Sequence, residues 1–338
     1  MGSFFKKALA LTAGVAGYEL STRWWEKIRS EQGYRYWRSY YRHPFLDKVD
    51  KLIRPVSIRS GGVNLHMDVL EQAKKKSPVL VLNHGVASYG KLMLPLAMEF
   101  YEKGYTVVVP DQKGRGFSGG VRGDYTVKEL AVNLVDVAQW ADQQFSGPVY
   151  MIGGSLGGAL TYYAAAEGAP VKAIACLNLL DFSYGRDAID VTRFDQLSEY
   201  FNVELLMEVK TKLSRPFHWM RLPFNIFVDF EKMLDEVDYP FYERWLNDPL
   251  LVRFISLRAI SSMLHTPPAI PIELNDMPVL VLNQKYDTLM DPAITRNNFE
   301  RLGGEKEYVE IPFNHWSRKA EFERTVADAA HKWFQKHK

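Results

Sequence analysis

Cysteine is nearly absent: Cys176 stands alone among 338 residues, so no disulfide can form within the chain. It lies in the apolar run Val171–Leu177, where a small buried thiol is expected to be inert. A single cysteine leaves the cell compartment open. Neither sign of charge dominates. Forty-two Lys and Arg against 40 Asp and Glu give a net charge of +2, which offers no electrostatic reason to expect a nucleic-acid partner. No internal repeat or low-complexity segment is visible. No His–carboxylate cluster has metal-ligand spacing, and no metal or organic cofactor is implied. What remains is ordinary globular composition, 47% hydrophobic and 24% charged. The length suits one large domain, or one core domain with a substantial insertion.

Long apolar runs are also missing. After Phe4, Phe5, Lys6 and Lys7, the stretch Ala8–Gly17 is far shorter than the roughly 20 apolar residues needed to cross a bilayer. It could serve as the core of a secretory signal, with Val15-Ala16-Gly17 at a cleavage point. Lys6 stands where a myristoylation signal wants Ser or Thr. Residues 21–42 then interleave Trp24, Trp25, Tyr34, Tyr36, Trp37, Tyr40 and Tyr41 with Arg23, Lys27, Arg29, Arg35, Arg38 and Arg42, a mixture suited to a headgroup layer. Three readings stay open for residues 1–42: a membrane-surface anchor, a cleaved signal on an exported protein, or a helix packed on a cytoplasmic protein's own surface. The first is preferred.

From Pro55 onward, short apolar runs alternate with helical patterns, as in a sheet flanked by helices. Strands are expected at 56–59, 63–69, 78–82, 106–109, 149–152 and 171–177, with helices over 89–103, from Thr126 to about Phe145, and over 156–166. Thr126 and Glu129 have capping-box spacing. Residues 183–272 contain no comparable buried strand. They carry amphipathic segments dense in aromatics, among them Phe194, Tyr200, Phe201, Phe230, Phe241 and Trp245. Strands at 279–282 and 307–311 then resume, with helices over 292–301 and from about Arg318. The expected organisation is an N-terminal helical segment (1–50), an α/β core in two parts (51–182 and 273–338), and a mostly helical insertion (183–272).

The most specific motif is Gly153-Gly154-Ser155-Leu156-Gly157-Gly158, set between an expected strand and an expected helix. It matches the G-x-S-x-G nucleophile elbow. The sharp turn brings the positions two before and two after the serine together, so Gly153 and Gly157 must lack side chains. A serine hydroxyl needs an adjacent base. Of eight histidines, His315 alone follows the last strand and precedes the last helix; His331 and His337 read as solvated. Asp287, after the strand at 279–282, is the preferred acid to orient that base, because elbow folds place serine, acid and histidine in that chain order. Asp291 reads as a helix cap, and Asp181 as an alternative acid. Leu156 and Val86 are the expected backbone N–H donors to an oxyanion, with His84 a structural hydrogen-bonding residue beneath the Val86 loop.

These pieces, with Leu82-Asn83-His84-Gly85 and the turn from Pro110-Asp111 to Gly119-Gly120, resemble the monoacylglycerol lipase and lysophospholipase branch of the α/β-hydrolase superfamily. The resemblance covers about residues 55–336 and includes Asp248-Pro249-Leu250 in the insertion, which corresponds to the family's cap. Two departures stand out. Gly154 occupies a position where relatives often have His, and the Glu-His-Ser following the His-Gly of typical monoacylglycerol lipases is missing. The resemblance implies an α/β-hydrolase fold with a mostly parallel sheet. It also implies cleavage of carboxylic esters, with an apolar acyl chain held under the cap. A serine aminopeptidase, a thioesterase and a non-catalytic membrane adaptor on the same scaffold are the alternatives.

Overall fold

The computed structural model describes residues 2–193, 217–235 and 238–338. Strands β1 (Ile53–Ser60) and β2 (Val63–Leu70) form an antiparallel hairpin at one edge of an eight-stranded sheet. The remaining members are β3 (Val79–Asn83), β4 (Thr106–Pro110), β5 (Val149–Gly154), β6 (Ile174–Leu177), β9 (Val279–Gln284) and β10 (Lys306–Ile311). Their order is β1-β2-β4-β3-β5-β6-β9-β10, parallel from β4 to β10. The sheet is mostly parallel and flanked by helices, as expected. Residues 79–83, 106–110 and 279–284 are buried throughout, because helices cover both faces of such a sheet. Pairing sets Asn83 against Gly153, Gly154 against Leu177 and Leu177 against Leu282. The carboxyl ends of four strands therefore finish at one level, where ligands bind in open α/β sheets.

The core helices include α3 (Leu94–Glu102), α4 (Val127–Gln144) and α5 (Leu156–Ala166). The helix expected over 89–103 begins instead as a 3-10 turn, Gly90–Met93, and Pro95 sits in the first turn of α3, the position where proline's missing N–H does no harm. Thr126 and Glu129 form both bonds of the capping box. Strand β6 starts three residues later than expected.

Between β6 and β9 the chain leaves the sheet to form α6 (Arg186–Asp190), α7 (Tyr239–Leu246) and α8 (Leu257–His265). The insertion, expected to be mostly helical without a buried strand comparable to those of the core, also carries a short strand pair. Arg221–Pro223 (β7) and Phe254–Ser256 (β8) pair antiparallel in a separate two-stranded sheet. It is only three residues long, too short to show in hydrophobic periodicity, and Pro223 supplies no N–H to extend it. The expected aromatics Phe194, Tyr200 and Phe201 lie outside the described residues. After β9 come α9 (Pro292–Arg301), capped by Asp291, and α10 (Phe322–Lys336).

At the amino end, α1 (Gly2–Gln32) leads through a 3-10 turn, Tyr36–Tyr40, into α2 (His43–Leu52). Among the described residues, no helix is long and apolar enough to cross a membrane. The aromatic and basic segment splits into two populations. Trp37 and Tyr40 are buried, whereas Leu20, Trp24 and Tyr34 are about two-thirds exposed, at 68%, 67% and 67%. Packing is fixed by a buried ion cluster. The guanidinium of Arg221, on β7, donates to Glu19 at 2.8 Å, to Thr22 at 3.0 Å and to Glu26. Burial pushes the Glu26 carboxyl above its ordinary range, and Arg221 opposes that shift. Tyr40 donates to Asp248 at 2.9 Å, and Arg29 donates to the Asn247 carbonyl at 3.0 Å. Residues 19–40 are thereby tied to the insertion.

Removing the cation while leaving two buried carboxylates is strongly unfavourable. Arg221→Ala should destabilise the fold by about 3–5 kcal/mol, measured by urea denaturation. A loss below about 1 kcal/mol would mean the cluster is not closed in solution.

Candidate active site

Ser155 occupies the step from β5 to α5 with φ 56° and ψ −128°, a conformation that L-residues avoid and that surrounding structure must enforce. The enforcement is steric. A Cβ on Gly153 would lie 2.2 Å from the Gly157 carbonyl oxygen, and one on Gly157 would lie 2.5 Å from the His84 carbonyl oxygen. The serine N–H is held by the Leu177 carbonyl at 2.9 Å. Its successor Leu156 opens α5, where a first-turn N–H has no partner within the helix. By contrast, a Cβ on Gly154 would meet nothing closer than 3.5 Å. The position where relatives often carry His has room for a side chain here.

His315 and Asp287 come together. Nδ1 of His315 lies 2.7 Å from Oδ2 of Asp287. The other carboxylate oxygen accepts from the backbone N–H groups of Leu289 at 2.9 Å and Met290 at 2.8 Å. Asp287 is thus aimed by its own loop. A carboxylate partner places the ring proton on Nδ1 and leaves Nε2 as the acceptor. Asn314 braces the pair, its Oδ1 accepting from the N–H groups of His315 (2.7 Å) and Thr288 (3.0 Å). Asp181, the alternative acid, is engaged elsewhere, by Arg301 at 2.9 Å and Ser183.

The Val86 loop passes close over the elbow. A Cβ on Gly85 would stand 3.5 Å from Ser155 Cβ and 4.0 Å from its Oγ. Beneath it, His84 is buried, with Nε2 accepting from the Gln112 N–H at 3.1 Å and Nδ1 lying 2.8 Å from the Gly85 carbonyl. A ring that accepts on Nε2 is neutral and donates from Nδ1. Burial, aided by the charge of Arg115, pushes the His84 pKa down to about 3. Since C=O and N–H oppose each other across a trans peptide, holding the Gly85 carbonyl toward His84 turns the Val86 N–H the other way.

Ser155, His315, Gly85 and Val86 line one cavity of about 110 Å³ with Leu92, Leu96, Phe230, Met233, Trp245, Trp316, Phe322 and Val326. Sequence reasoning missed how the insertion grips this site: Trp245 Nε1 donates to the Ala87 carbonyl at 3.2 Å, and the Trp316 N–H to the Met233 carbonyl at 2.8 Å. The aromatic density of the insertion was the available signal. A larger cavity, about 390 Å³, lies between residues 34–38 and the β1–β2 edge and includes none of the candidate residues. His331 and His337, expected to be solvated, are half-buried. His331 Nδ1 lies 3.1 Å from the Tyr105 hydroxyl, and His337 packs on Trp333, because the inner face of α10 faces the core. Cys176 is buried, and burial pushes its thiol up to about 12. Among the described residues, no group of three or more His, Cys, Asp or Glu could hold a metal ion.

A sequence profile of the serine aminopeptidase S33 family matches residues 74–313. The chain belongs to that family. It is also 27% identical over 288 residues to an uncharacterized 31.7 kDa protein of the traX-finO intergenic region in Escherichia coli, covering 82% of this chain and 97% of that one. Among solved structures, the fold resembles monoacylglycerol lipase from Paleococcus ferrophilus, with a TM-score of 0.62, 19% identity, and coverage of 81% and 99%. It also resembles a soluble variant of monoglyceride lipase from Saccharomyces cerevisiae, with a TM-score of 0.63, 15% identity, and coverage of 85% and 97%. The architecture is that of the α/β-hydrolase superfamily, and the chain is a hydrolase.

The two neighbouring elbow glycines should respond oppositely to an added methyl. Gly153→Ala should cost about 3 kcal/mol or more through overpacking against backbone, whereas Gly154→Ala should stay within about 0.5 kcal/mol. Thermal denaturation of both variants checks this, and equal stabilities would refute the packed elbow.

Proposed function

We propose that this protein is a serine hydrolase that cleaves carboxylic esters of apolar acyl groups, of the monoacylglycerol or lysophospholipid type, through an acyl-enzyme on Ser155. One observation carries the reading. A serine held at positive φ shares an apolar cavity with a histidine whose Nδ1 is bound by a buried carboxylate. Ser155 Oγ attacks the ester carbonyl and its proton passes to Nε2 of His315. The oxyanion is met by the N–H groups of Val86 and Leu156, the latter at the positive end of α5. Asp287 stabilises the imidazolium. That imidazolium protonates the departing alcohol. Water, deprotonated by His315, then releases the acid and restores Ser155. The apolar walls between α3 and α10 suit an acyl chain, and Trp245 and Met233 of the insertion cover it as a cap.

The family description supports a second reading, a serine aminopeptidase. Glu323 lines the same cavity and would face a substrate ammonium. The two readings separate on a panel of p-nitrophenyl esters against aminoacyl anilides. Ester preference, with fluorophosphonate labelling and hydrolysis both lost in Ser155→Ala, is the expected outcome. A folded wild type that is not labelled would favour a binding protein on a hydrolase scaffold.

We infer that the amino-terminal segment lies against a membrane surface. Exposed Leu20, Trp24 and Tyr34 alternate with basic residues on the part of the segment packed against the insertion, and the apolar stretch Ala8–Gly17 precedes it. Because Glu19, Glu26 and Tyr40 hold Arg221 and Asp248, a cut after residue 42 would disturb the fold itself. Deleting residues 1–17 should reduce recovery on anionic phospholipid vesicles, with juxtamembrane basic residues contributing about 1 kcal/mol each, and leave hydrolysis of a short ester unchanged. Equal vesicle recovery of both forms would eliminate residues 1–17 as the anchor, and recovery near zero for both would eliminate residues 20–42 as well.

A further inference from the structure

The elbow, the base and the acid leave one costly feature of the site without a purpose. Arg115, in the loop after β4, is wholly buried. Its Nε donates to the Val86 carbonyl at 2.9 Å, and its guanidinium carbon lies 4.4 Å from the centre of the Tyr125 ring. Both Nη nitrogens are buried without a well-aligned acceptor; among the described residues the Tyr125 hydroxyl is the side-chain group that interacts with the guanidinium, and no carboxylate pairs with it. Arg221 is the instructive contrast, since it is equally buried but met by Glu19 and Glu26. A guanidinium stays charged in proteins, and a buried charge without a counter-charge is strongly unfavourable.

The position of Arg115 suggests what offsets that cost. The residue whose carbonyl it holds is the one whose N–H meets the oxyanion in the ester-hydrolase reading, on which this inference rests. A negative charge absent from the resting enzyme would form there during each acyl transfer. A fixed cation behind the loop favours that charged state over the neutral ester that precedes it. The surroundings of Arg115 keep its field undiluted. His84, buried beside it, is neutral, and Tyr125 offers only a ring face and a hydroxyl whose ionisation burial suppresses.

We propose that Arg115 is a positioning residue of the oxyanion site. Its Nε–H holds the Val86–Ala87 carbonyl and so anchors the loop from the side opposite the His84–Gly85 contact, and its unpaired charge stabilises the tetrahedral intermediate without touching substrate.

Two substitutions separate charge from hydrogen bond. In Arg115→Gln the side-chain nitrogen falls where Nε was, keeping the donor and removing the charge. In Arg115→Lys the charge stays and the donor moves by one bond. Each is assayed for kcat and KM on p-nitrophenyl butyrate. Inhibition by a trifluoromethyl ketone, which forms an oxyanion on Ser155, is compared with that by the matched methyl ketone, which binds without forming one. Arg115→Gln should lower kcat about 10- to 100-fold, somewhat less than loss of a direct oxyanion donor, with KM nearly unchanged. It should weaken the trifluoromethyl ketone by a similar factor and spare the methyl ketone. Arg115→Lys should keep the ratio of the two affinities near the wild-type value. Wild-type kcat in Arg115→Gln, equal weakening of both ketones, or a lysine variant no better than the glutamine one would each overturn the proposal. Should Arg115→Gln not fold, the ketone ratio in Arg115→Lys decides, and a drop of about tenfold counts against the proposal. A wild type with neither fluorophosphonate labelling nor ester hydrolysis would instead sink the ester-hydrolase reading, and this inference with it.

Discussion

A serine backbone that no isolated peptide would choose organises the carboxyl end of the sheet. Positive φ at Ser155 is held because β5, α5 and the strand end at Asn83–His84 press together with no room for side chains at 153 and 157. The contact between Gly157 and the His84 carbonyl links the elbow to the Val86 loop. Asn83 reinforces it by donating to the Gly157 carbonyl at 3.1 Å. Ser155 and the Val86 loop therefore cannot drift apart independently. Preorganisation of this kind is what an electrostatic site requires, since donors that reorient during reaction lose most of their effect.

The supporting shell is a chain of buried polar groups used in pairs. Gln112 donates to both the Asn83 side chain and the His84 carbonyl, and its own N–H fixes the His84 ring. That ring then fixes Gly85. On the other side, Asn314 and Gln284 hold the two faces of the His315 loop. Each link is a neutral hydrogen bond in a place where an unmet polar atom would be costly. Ser155 and His315 can thus sit at one edge of an apolar cavity without collapsing into it.

Much of this was legible in the residues. The elbow pattern between an apolar strand and an Ala- and Leu-rich helix located Ser155, and the order of later strands located Asp287 and His315, which the structure places 2.7 Å apart. Those signals are local: a turn that needs glycine, a run that needs burial. What escaped was non-local. The β7–β8 pair is too short to show periodicity. The partners of Arg221 lie about two hundred residues away in sequence, so nothing local to Glu19 or Glu26 signals the pairing. His331 and His337 misled for the same reason, because only the packing of α10 decides which side of it is wet.

The two wholly buried arginines show why composition and motif cannot replace geometry. Arg221 holds two carboxylates and behaves as a structural tie, its charge balanced within the folded chain. Arg115 holds a single backbone carbonyl and an aromatic face, so its charge is balanced by nothing permanent. Identical residues at identical burial thus impose opposite demands. The first stabilises the resting fold, and the second weakens it unless something negative arrives. Folding alone gives no reason to keep the second arrangement, and under the proposed ester hydrolysis its place beside Val86 supplies one, in a loop that Asp111 and Gly119 also tie to β2 through the His66 and Asn64 carbonyls.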